Sequence, residues 1–385
     1  MRGSDIWRHG VVAALVVGRL LLPGAAGAST TYTSAAIPPN LDFGAVSVSP
    51  SGLVLSGSAT LDGDQGVDCL FARVKPTTLT LSSLVEPLCS DTPLLSGHSV
   101  AVLQTEARTM VTSVRIAHLT PTGHPDIGPV VVTYTQLSDT HLETVRAAGS
   151  LWLYAPNTPS GGRALRVSET TGQVLQNTPV SPAMDRPIIA ANQNGLYLAP
   201  ASNTGFLGSG RAPNENGIIY HVGIGASGVQ VFDASPGTSQ FSGDVSWVTG
   251  DGNSLWADIC QRPVGTGCVI TRFNGSNPKP VFQASDHNMT GSWVVGSASQ
   301  GFYSVVSPAN SSNQAVNEAI VHIDPSSGAV RPIATLPLPA FWQGNFFSGS
   351  SEAALFDDAF YLLVPPGTPA GSPGALYRVP LSARS

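Results

Sequence analysis

The sequence is poor in charged side chains, which excludes two classes of protein. Only 11% of its 385 residues are charged, the formal net charge is −6, and Lys75 and Lys279 are the only lysines. Binding to nucleic acid needs a basic surface, so we exclude nucleic acid as a partner. A hydrophobic fraction of 42% is enough to form a core, which excludes a disordered chain.

Long apolar runs are also absent, except for one near the N-terminus. A basic segment (1–9) precedes an apolar run (11–22) and the small residues 26–28. This order is typical of a secretory signal peptide, so we predict that residues 1–28 are such a peptide, cleaved after Ala28. The apolar run is too short to span a bilayer comfortably. The mature chain is therefore predicted to be secreted and extracellular, without a transmembrane segment.

Catalytic motifs are absent as well. The chain has no G-x-S-x-G nucleophile elbow and no H-E-x-x-H metal motif, and its Ser, His and Asp residues are too scattered to nominate a triad. This favours a non-catalytic binding protein over an enzyme.

A two-residue apolar couplet, which ends in an aromatic residue in five of its seven copies, recurs along the chain. The couplets begin 45 to 59 residues apart, and they are Leu53-Val54, Val100-Ala101, Leu151-Trp152, Leu196-Tyr197, Leu255-Trp256, Phe302-Tyr303 and Phe360-Tyr361. A period of about fifty residues in an all-β chain is typical of β-propeller blades. We predict an all-β fold in which residues 29–385 form one β-propeller of seven four-stranded blades, with six or eight blades as alternatives. The couplet aromatics are expected to pack blade against blade; the alternative is a ladder that stacks a ligand.

One segment shows the four strands of a blade, called A to D, most plainly: residues 244–248, 254–258, 268–272 and 279–283. Two C–D turns, Val167–Val174 and Ile323–Val330, resemble the D-x-x-T-G-x-V turn of the PQQ-like, YVTN and NHL propeller repeats. This resemblance implies the propeller fold but no particular activity.

The two ends of the chain are predicted to meet in one blade. The last repeat has strands at 353–356, 360–364 and 375–379 but stops before a fourth strand, whereas residues 30–37 form a β-prone segment without a blade of its own. We expect this N-terminal segment to complete the last blade, because that leaves no unpaired edge at the seam.

The four cysteines are predicted to form two disulfides. Cys69 begins strand C and Cys89 ends strand D of the first blade, while Cys260 ends strand B and Cys268 begins strand C of another blade. Antiparallel neighbours lie within the distance that a disulfide accepts, and pairing is the default for an even cysteine count in a secreted chain.

The B–C loops all lie at one end of the predicted propeller, which we call the B–C loop face. It contains the longest connections, at 155–162, 200–217, 307–317 and 365–374. Loops on a rigid scaffold usually carry function, so we predict that this face binds an extracellular protein, a glycan or a cell-envelope component. We expect a monomer. The candidate contact residues are Asp62, Asp64 and Asp68 on the first loop and Arg211, Asn214 and Glu215 on the fourth.

Two alternatives remain open. The carboxylates of Asp62, Asp64 and Asp68 are near-alternating, which is compatible with calcium, although the loop lacks the terminal Glu of an EF-hand. We predict a solvated loop and no cofactor, with calcium as the alternative. The alternative function is a lyase or glycosidase-type enzyme whose acids, such as Asp62, Asp258 and Glu318, converge at the central channel.

Overall fold

The computed structural model describes nineteen segments of the chain: residues 32–37, 41–49, 52–59, 68–86, 99–106, 109–119, 125–135, 142–184, 187–200, 218–233, 243–261, 268–274, 280–286, 294–297, 301–306, 318–324, 329–336, 353–364 and 374–381. Regular structure in these segments is all β-strand. None of them contains a helix with the length and apolar character needed to cross a bilayer.

The described strands number twenty-seven, and they are β1 (Thr33–Ala36), β2 (Leu41–Ser49), β3 (Gly52–Ala59), β4 (Asp68–Lys75), β5 (Thr80–Glu86), β6 (Ser99–Glu106), β7 (Val111–Leu119), β8 (Pro125–Thr135), β9 (Glu143–Ala147), β10 (Ser150–Thr158), β11 (Gly161–Ser168), β12 (Val174–Val180), β13 (Pro187–Asn192), β14 (Gly195–Pro200), β15 (Ile218–Gly223), β16 (Gln230–Asp233), β17 (Gly243–Asp251), β18 (Ser254–Gln261), β19 (Cys268–Asn274), β20 (Pro280–Asp286), β21 (Val294–Ser297), β22 (Gly301–Val306), β23 (Glu318–Ile323), β24 (Val330–Leu336), β25 (Ala353–Phe356), β26 (Ala359–Val364) and β27 (Ala375–Pro380).

The chain divides into two compact units, Met1–Pro93 with Ser351–Ser385, and Leu94–Ser350. The first unit contains two four-stranded sheets, of order β2-β3-β4-β5 and β1-β27-β26-β25. The described part of the second unit contains one three-stranded sheet, β6-β7-β8, and four four-stranded sheets made of β9–β12, β13–β16, β17–β20 and β21–β24 in chain order. Each pairing in these sheets is antiparallel, so within a four-stranded sheet the A–B and C–D turns share one end, which we call the turn end.

The A–B hairpins of two sheets are closed by two-residue turns with positive φ. Ala148 and Gly149 join β9 to β10 with φ values of 49° and 69°, and Asp357 and Asp358 join β25 to β26 with φ values of 48° and 51°. Two successive residues with positive φ are the signature of the two-residue turn whose twist matches that of antiparallel strands. Short turns of this kind fix the register of the first two strands of a sheet.

The couplet side chains pack in the interfaces between neighbouring sheets. Leu151 and Trp152 are adjacent in β10, so their side chains point to opposite faces of the sheet. Leu151 packs in a core cluster with Ala101 and Val114 of the sheet before it, and Trp152 packs with Leu196 and Val222 of the sheet after it. For Trp152, the prediction that the couplet aromatics pack sheet against sheet is confirmed.

The same arrangement continues along the second unit. Tyr197 of the next couplet lies in a cluster with Leu255 of the couplet that follows. Trp256 in turn meets Phe302 edge to face, with ring centroids 5.0 Å apart. In β10, β14 and β18 the couplet therefore supplies core side chains to both faces of its sheet, which explains its recurrence along this part of the sequence.

In the first unit the N-terminal strand joins the last sheet. Strand β1 pairs with β27, with Thr33 opposite Arg378 and Ala36 opposite Ala375. Ile37 follows β1 and is 1% exposed in the core of this unit. The predicted partnership between the N-terminal segment and the last repeat is therefore present as a strand pairing.

One predicted loop is wrong. The connection predicted at 155–162 is a hairpin, in which β10 continues to Thr158 and β11 begins at Gly161. The ladder pairs Ala155 with Arg163 and then Thr158 with Gly161, so Pro156 lies in a bulge. A bulge tolerates proline because no ladder donor is needed there. The turn closes with a hydrogen bond from Thr158 Oγ1 to the Gly161 carbonyl oxygen.

Candidate functional site

Most of the predicted contact residues lie outside the described part of the chain: Asp62, Asp64, Arg211, Asn214 and Glu215. Asp68 is the exception, since it is the first residue of β4 and its backbone pairs with Ala59 of β3. The structure thus places Asp68 at the end of its sheet opposite the turn end, as expected for a B–C loop.

The candidate acids of the enzymatic alternative are placed on separate sheets. Asp258 lies within β18 and Glu318 begins β23, whereas Asp62 is outside the described residues. No three His, Cys, Asp or Glu side chains of the described segments are grouped so that they could hold a metal ion. The calcium alternative rests on residues 62–68, of which only Asp68 is described, so it stays a prediction.

Backbone register supports one of the two predicted disulfides. Cys260 of β18 pairs with Cys268 of β19 across the ladder. Cys69 lies near the start of β4 opposite Glu86, where β5 ends, and Cys89 is outside the described residues. Directly paired positions are within bridging distance. Both disulfides stay predictions.

A basic residue recurs at one register position, and sequence reasoning missed it. In each described sheet an arginine or histidine pairs with a residue of the preceding strand, and in five sheets that residue is the couplet aromatic. The pairs are Val54–Arg73, Val102–Arg115, Trp152–Arg166, Tyr197–His221, Trp256–Arg272, Tyr303–His322 and Tyr361–Arg378. The signal in the sequence is a basic residue followed directly by an apolar one, as in Arg166-Val167 and His322-Ile323.

Two of these pairs form what we call an arginine clasp, in which the first residue of strand B is serine. Arg166 Nε donates to Ser150 Oγ at 2.8 Å, and Arg272 Nε donates to Ser254 Oγ at 3.2 Å. The Arg272 guanidinium also lies 5.5 Å from the centroid of the Trp256 ring, within the range of a cation–π interaction. The serine hydroxyl and the indole face together fix the guanidinium.

Two other pairs form a histidine clasp, in which the first residue of strand B is glycine. His221 stacks on Tyr197 with centroids 4.4 Å apart and an interplanar angle of 12°. His322 meets Tyr303 at 5.1 Å, and its Nδ1 accepts from Arg331 Nε at 3.4 Å. Both imidazoles are buried, at 3% and 8% exposure.

Glycine is required in the histidine clasps because the imidazole lies over the backbone of strand B. A Cβ at Gly195 would lie 3.0 Å from His221 Nε2, and a Cβ at Gly301 would overlap His322 Nε2. Both glycines also have positive φ, 147° and 85°, which side chains rarely adopt. In these four sheets the first residue of strand B and the basic residue of strand C are therefore matched: serine with arginine, glycine with histidine. The sheet β2–β5 differs, because its strand B begins with Gly52 and its basic residue is Arg73.

The electrostatics of the His221 clasp keep it uncharged. Burial lowers the pKa of His221, and hydrogen bonds with the Asn194 carbonyl and the Gln230 side chain oppose that shift only in part. Burial also raises the pKa of Tyr197, which bonds with the side chains of Asn192 and Asn194. Both rings are neutral near pH 7, so the clasp is an uncharged polar contact.

Two groups of hydrogen bonds, which we call the first and second staples, join neighbouring sheets of the second unit at the turn end. In the first staple, Gln176 of β12 donates to the carbonyl oxygens of Gly223 and Ala226, both at 2.9 Å, and accepts from Gly225 N–H at 2.9 Å.

The second staple joins the A–B turns of two sheets. Asn192 donates to the Ser254 carbonyl at 2.9 Å and Asn194 donates to the Asn253 carbonyl at 3.1 Å. The two staples hold the turn end of these sheets without any ionisable group. Chemically, the clasps and staples are structural: they fix rings and turns and present no activated nucleophile.

Comparisons with known proteins show similarity in fold alone. No family model matches the sequence, and no curated protein matches it. Among solved structures, the β-propeller domain of the Trilobed protease from Pyrococcus furiosus, which reveals an open velcro topology, is 8% identical with a TM-score of 0.51, covering 89% of this chain and 95% of that one. An uncharacterized protein from Listeria monocytogenes EGD-e is 11% identical with a TM-score of 0.48, covering 89% and 96%.

A structure of prolyl endopeptidases is 13% identical with a TM-score of 0.48, and covers 79% of this chain but 48% of that one. The likeness to the Pyrococcus domain supports repeated sheets of the β-propeller type. It does not extend to one repeat family, and at such identity it carries no activity.

Proposed function

We propose that the mature chain is a secreted seven-bladed β-propeller that binds an extracellular protein, glycan or cell-envelope component through its B–C loop face. Seven sheets in the described residues and the pairing of β1 with β27 support this architecture. Residues 29–385 would form the propeller as a monomer after removal of residues 1–28, without a cofactor and without catalysis.

The observation that carries the proposal is the contrast between the two ends of the sheets. At the turn end, β13 joins β14 through two residues and the staples bond one turn to the next. At the other end, five pairs of described strands are joined by connections of at least six residues, at 60–67, 201–217, 262–267, 307–317 and 365–374, whereas β10 and β11 are joined by two residues. The long connections, which could contact a partner, therefore lie mainly on the B–C loop face.

The chemistry of the candidate contacts favours a polar partner. Asp62, Asp64 and Asp68 offer carboxylates, and Arg211, Asn214 and Glu215 offer donors and acceptors of both signs. We propose that the Cys69–Cys89 and Cys260–Cys268 bridges brace two of the neighbouring connections. Bracing reduces the entropy lost when a partner is bound.

The experiment compares two variants, in each of which the connection at one end of β15 is replaced by a short turn. In one variant residues 201–217 are replaced by Asn-Gly, and in the matched control the C–D turn 225–228 at the other end of β15 is replaced by Asn-Gly. Purified protein is then applied to an extracellular glycan array and to isolated cell-envelope polysaccharide.

We expect binding to be lost in the 201–217 variant with nearly unchanged thermal stability, and to survive in the 225–228 control. Binding that survives the first exchange and is lost in the second would place the site at the turn end and overturn the proposal.

A further inference from the structure

Tyr32 and Tyr377 differ from the other tyrosines of the chain in their exposure. All eight tyrosines lie in the described segments. Tyr32 and Tyr377 are half-buried, so part of each residue reaches the surface. The six others are buried, with at most 5% exposure: Tyr134, Tyr154, Tyr197, Tyr220, Tyr303 and Tyr361. An oxidant that acts from solvent therefore reaches Tyr32 and Tyr377 more readily than the rest.

The two half-buried tyrosines also contact each other. Their ring centroids lie 5.9 Å apart with an interplanar angle of 56°, which is within the range of an aromatic pair. Tyr377 lies opposite Ser34 in the ladder between β1 and β27, and Tyr32 precedes Ser34 by two residues. The rings therefore form a diagonal cross-strand pair, a spacing that aromatic side chains can bridge.

The strand register places this pair on one face of the last sheet. Ala35 and Leu376 are directly opposite each other, and both lie in the core cluster of their unit. Successive side chains of a strand point to opposite faces, so Ser34 and Tyr377 lie on the other face, together with Tyr32. The ring contact is thus separate from this apolar cluster, and it joins the N-terminal strand to the last repeat.

We propose that Tyr32 and Tyr377 are a site of oxidative cross-linking, at which hydrogen peroxide and a haem peroxidase join the two rings as dityrosine and lock β1 onto β27. This inference does not depend on the proposed binding function, because it concerns only the closure of the last sheet.

The reaction is a two-electron oxidation. Each phenol gives one electron to the oxidised haem of the peroxidase and its hydroxyl proton to water, which leaves two phenoxyl radicals. A carbon–carbon bond then forms between one ring carbon of each tyrosine, next to the carbon that carries the oxygen. The hydrogens of these two carbons move to the oxygens as protons, through water, and restore both phenols. Hydrogen peroxide takes up the two electrons and two protons and becomes two water molecules.

The protonation of the pair is compatible with close contact at neutral pH. Burial raises the pKa of Tyr32. Burial also raises the pKa of Tyr377, and the neighbouring Tyr32 phenol raises it further. Both phenols are therefore neutral near pH 7, so no repulsion between phenolates opposes the contact.

The cross-link would act where the sheet depends on a short edge strand. β1 has four residues, lies at the edge of its sheet and pairs with β27. When such a strand opens, the hydrogen-bonding edge of its partner is uncovered. A covalent bond between Tyr32 and Tyr377 keeps β1 beside β27 and lowers the conformational entropy of the opened state, which becomes less populated.

Treatment of the purified protein with a plant haem peroxidase and hydrogen peroxide, at low protein concentration, tests the site. Dityrosine fluorescence measures the yield, and mass spectrometry of the digested monomer identifies the linked peptides. We expect a monomeric product that is lighter by two hydrogen atoms and contains a link between Tyr32 and Tyr377. Free N-acetyltyrosine amide, treated in parallel, shows that the oxidant is active.

Three variants separate this site from the other tyrosines. Tyr32→Phe and Tyr377→Phe keep an aromatic ring but remove one phenol, and each should abolish the link within the monomer. Tyr220→Phe is the matched control, since Tyr220 is 5% exposed, and it should leave the yield unchanged. The proposal is overturned if the wild type forms no dityrosine, forms it only between molecules, or links another pair of tyrosines instead.

Hydrogen exchange of the cross-linked monomer tests the lock itself. We expect the amides of 33–36 and 375–378 to exchange about tenfold more slowly, or slower still, than in the untreated protein. Tyr377→Phe treated in the same way should exchange as its untreated form does, which controls for oxidation elsewhere. Unchanged exchange of 33–36 after complete cross-linking would show that the link does not hold β1, and would contradict the proposal.

Discussion

At the scale of single residues, the first residue of strand B in each of the four clasps is matched to the basic side chain of strand C. Serine occurs where an arginine must be bonded, as at Ser150 and Ser254. Glycine occurs where an imidazole covers the backbone, as at Gly195 and Gly301. The identity of one residue is therefore explained by a partner that is 16 to 26 residues away in the sequence.

Gly195→Ala should be far more destabilising than Gly149→Ala, although Gly149 ends an A–B turn and Gly195 directly follows one. A Cβ at Gly149 meets nothing within 4 Å, so only its φ of 69° opposes alanine, at about 1 kcal/mol. A Cβ at Gly195 would overlap the Val222 carbonyl oxygen at a φ of 147°, and we expect a loss of about 3 kcal/mol or more. Urea unfolding midpoints measure both. Equal losses would show that steric overlap at Gly195 is relieved by small shifts.

At the scale of strands and turns, neighbouring sheets are joined by more than their apolar clusters. The Gln176 amide makes three bonds to the turn of the next sheet. In Gln176→Ala these three backbone groups either bond to water or have no hydrogen-bond partner. We therefore expect the free energy of unfolding to fall by about 1–2 kcal/mol. Gln193→Ala is the matched control, because Gln193 is exposed and bonds through its backbone to Gly252. A loss of equal size in both variants would contradict the staple.

The strands could be predicted from the sequence where their burial requires a recurring pattern of apolar residues. The couplets mark β10, β14, β18, β22 and β26 because both of their adjacent side chains are buried, on the two faces of the strand. The predicted segment 244–248 lies inside β17, which is longer at both ends.

The clasps could not be predicted, because one basic residue per repeat produces no periodic pattern in the sequence. Its partner is visible only when the strand register is known. The hairpin at 159–160 was hidden for a different reason: Pro156 is a loop signal in sequence, but a bulge accommodates it within β10. The candidate contacts on the B–C loops rest on the sequence alone, apart from the backbone position of Asp68.

Cys260 and Cys268 should be found bridged in protein that is purified without a reducing agent. Their positions pair directly across β18 and β19, and closing a loop of this size is worth about 2–3 kcal/mol by the chain-entropy estimate. Peptide mapping without reduction identifies the pairing, with a reduced sample as control. A Cys69–Cys260 peptide would be incompatible with the observed strand register.

At the scale of the whole molecule, residues from both ends of the chain belong to one compact unit. Residues 1–93 and 351–385 share it, because β1 pairs with β27 and the core includes Phe43 of β2 and Tyr361 of β26. An edge strand from the N-terminus thus occupies the position that strand D takes in the other four-stranded sheets. This arrangement makes the last sheet depend on residues 33–36 of β1.

Removing residues 29–37 should therefore destabilise the unit formed by residues 1–93 and 351–385 and promote aggregation. The deletion uncovers the hydrogen-bonding edge of β27 and takes away Ala35 and Ile37, which are 2% and 1% exposed. A milder test is Ile37→Ala, for which we expect a loss of about 2–4 kcal/mol from the apolar burial that is removed and the cavity that is left. Urea unfolding measures stability, and light scattering during refolding measures association. A deletion of residues 29–31, which leaves β1 intact, is the matched control and should behave as the wild type. If removal of 29–37 left both readouts unchanged, the N-terminal strand would contribute nothing to the last sheet.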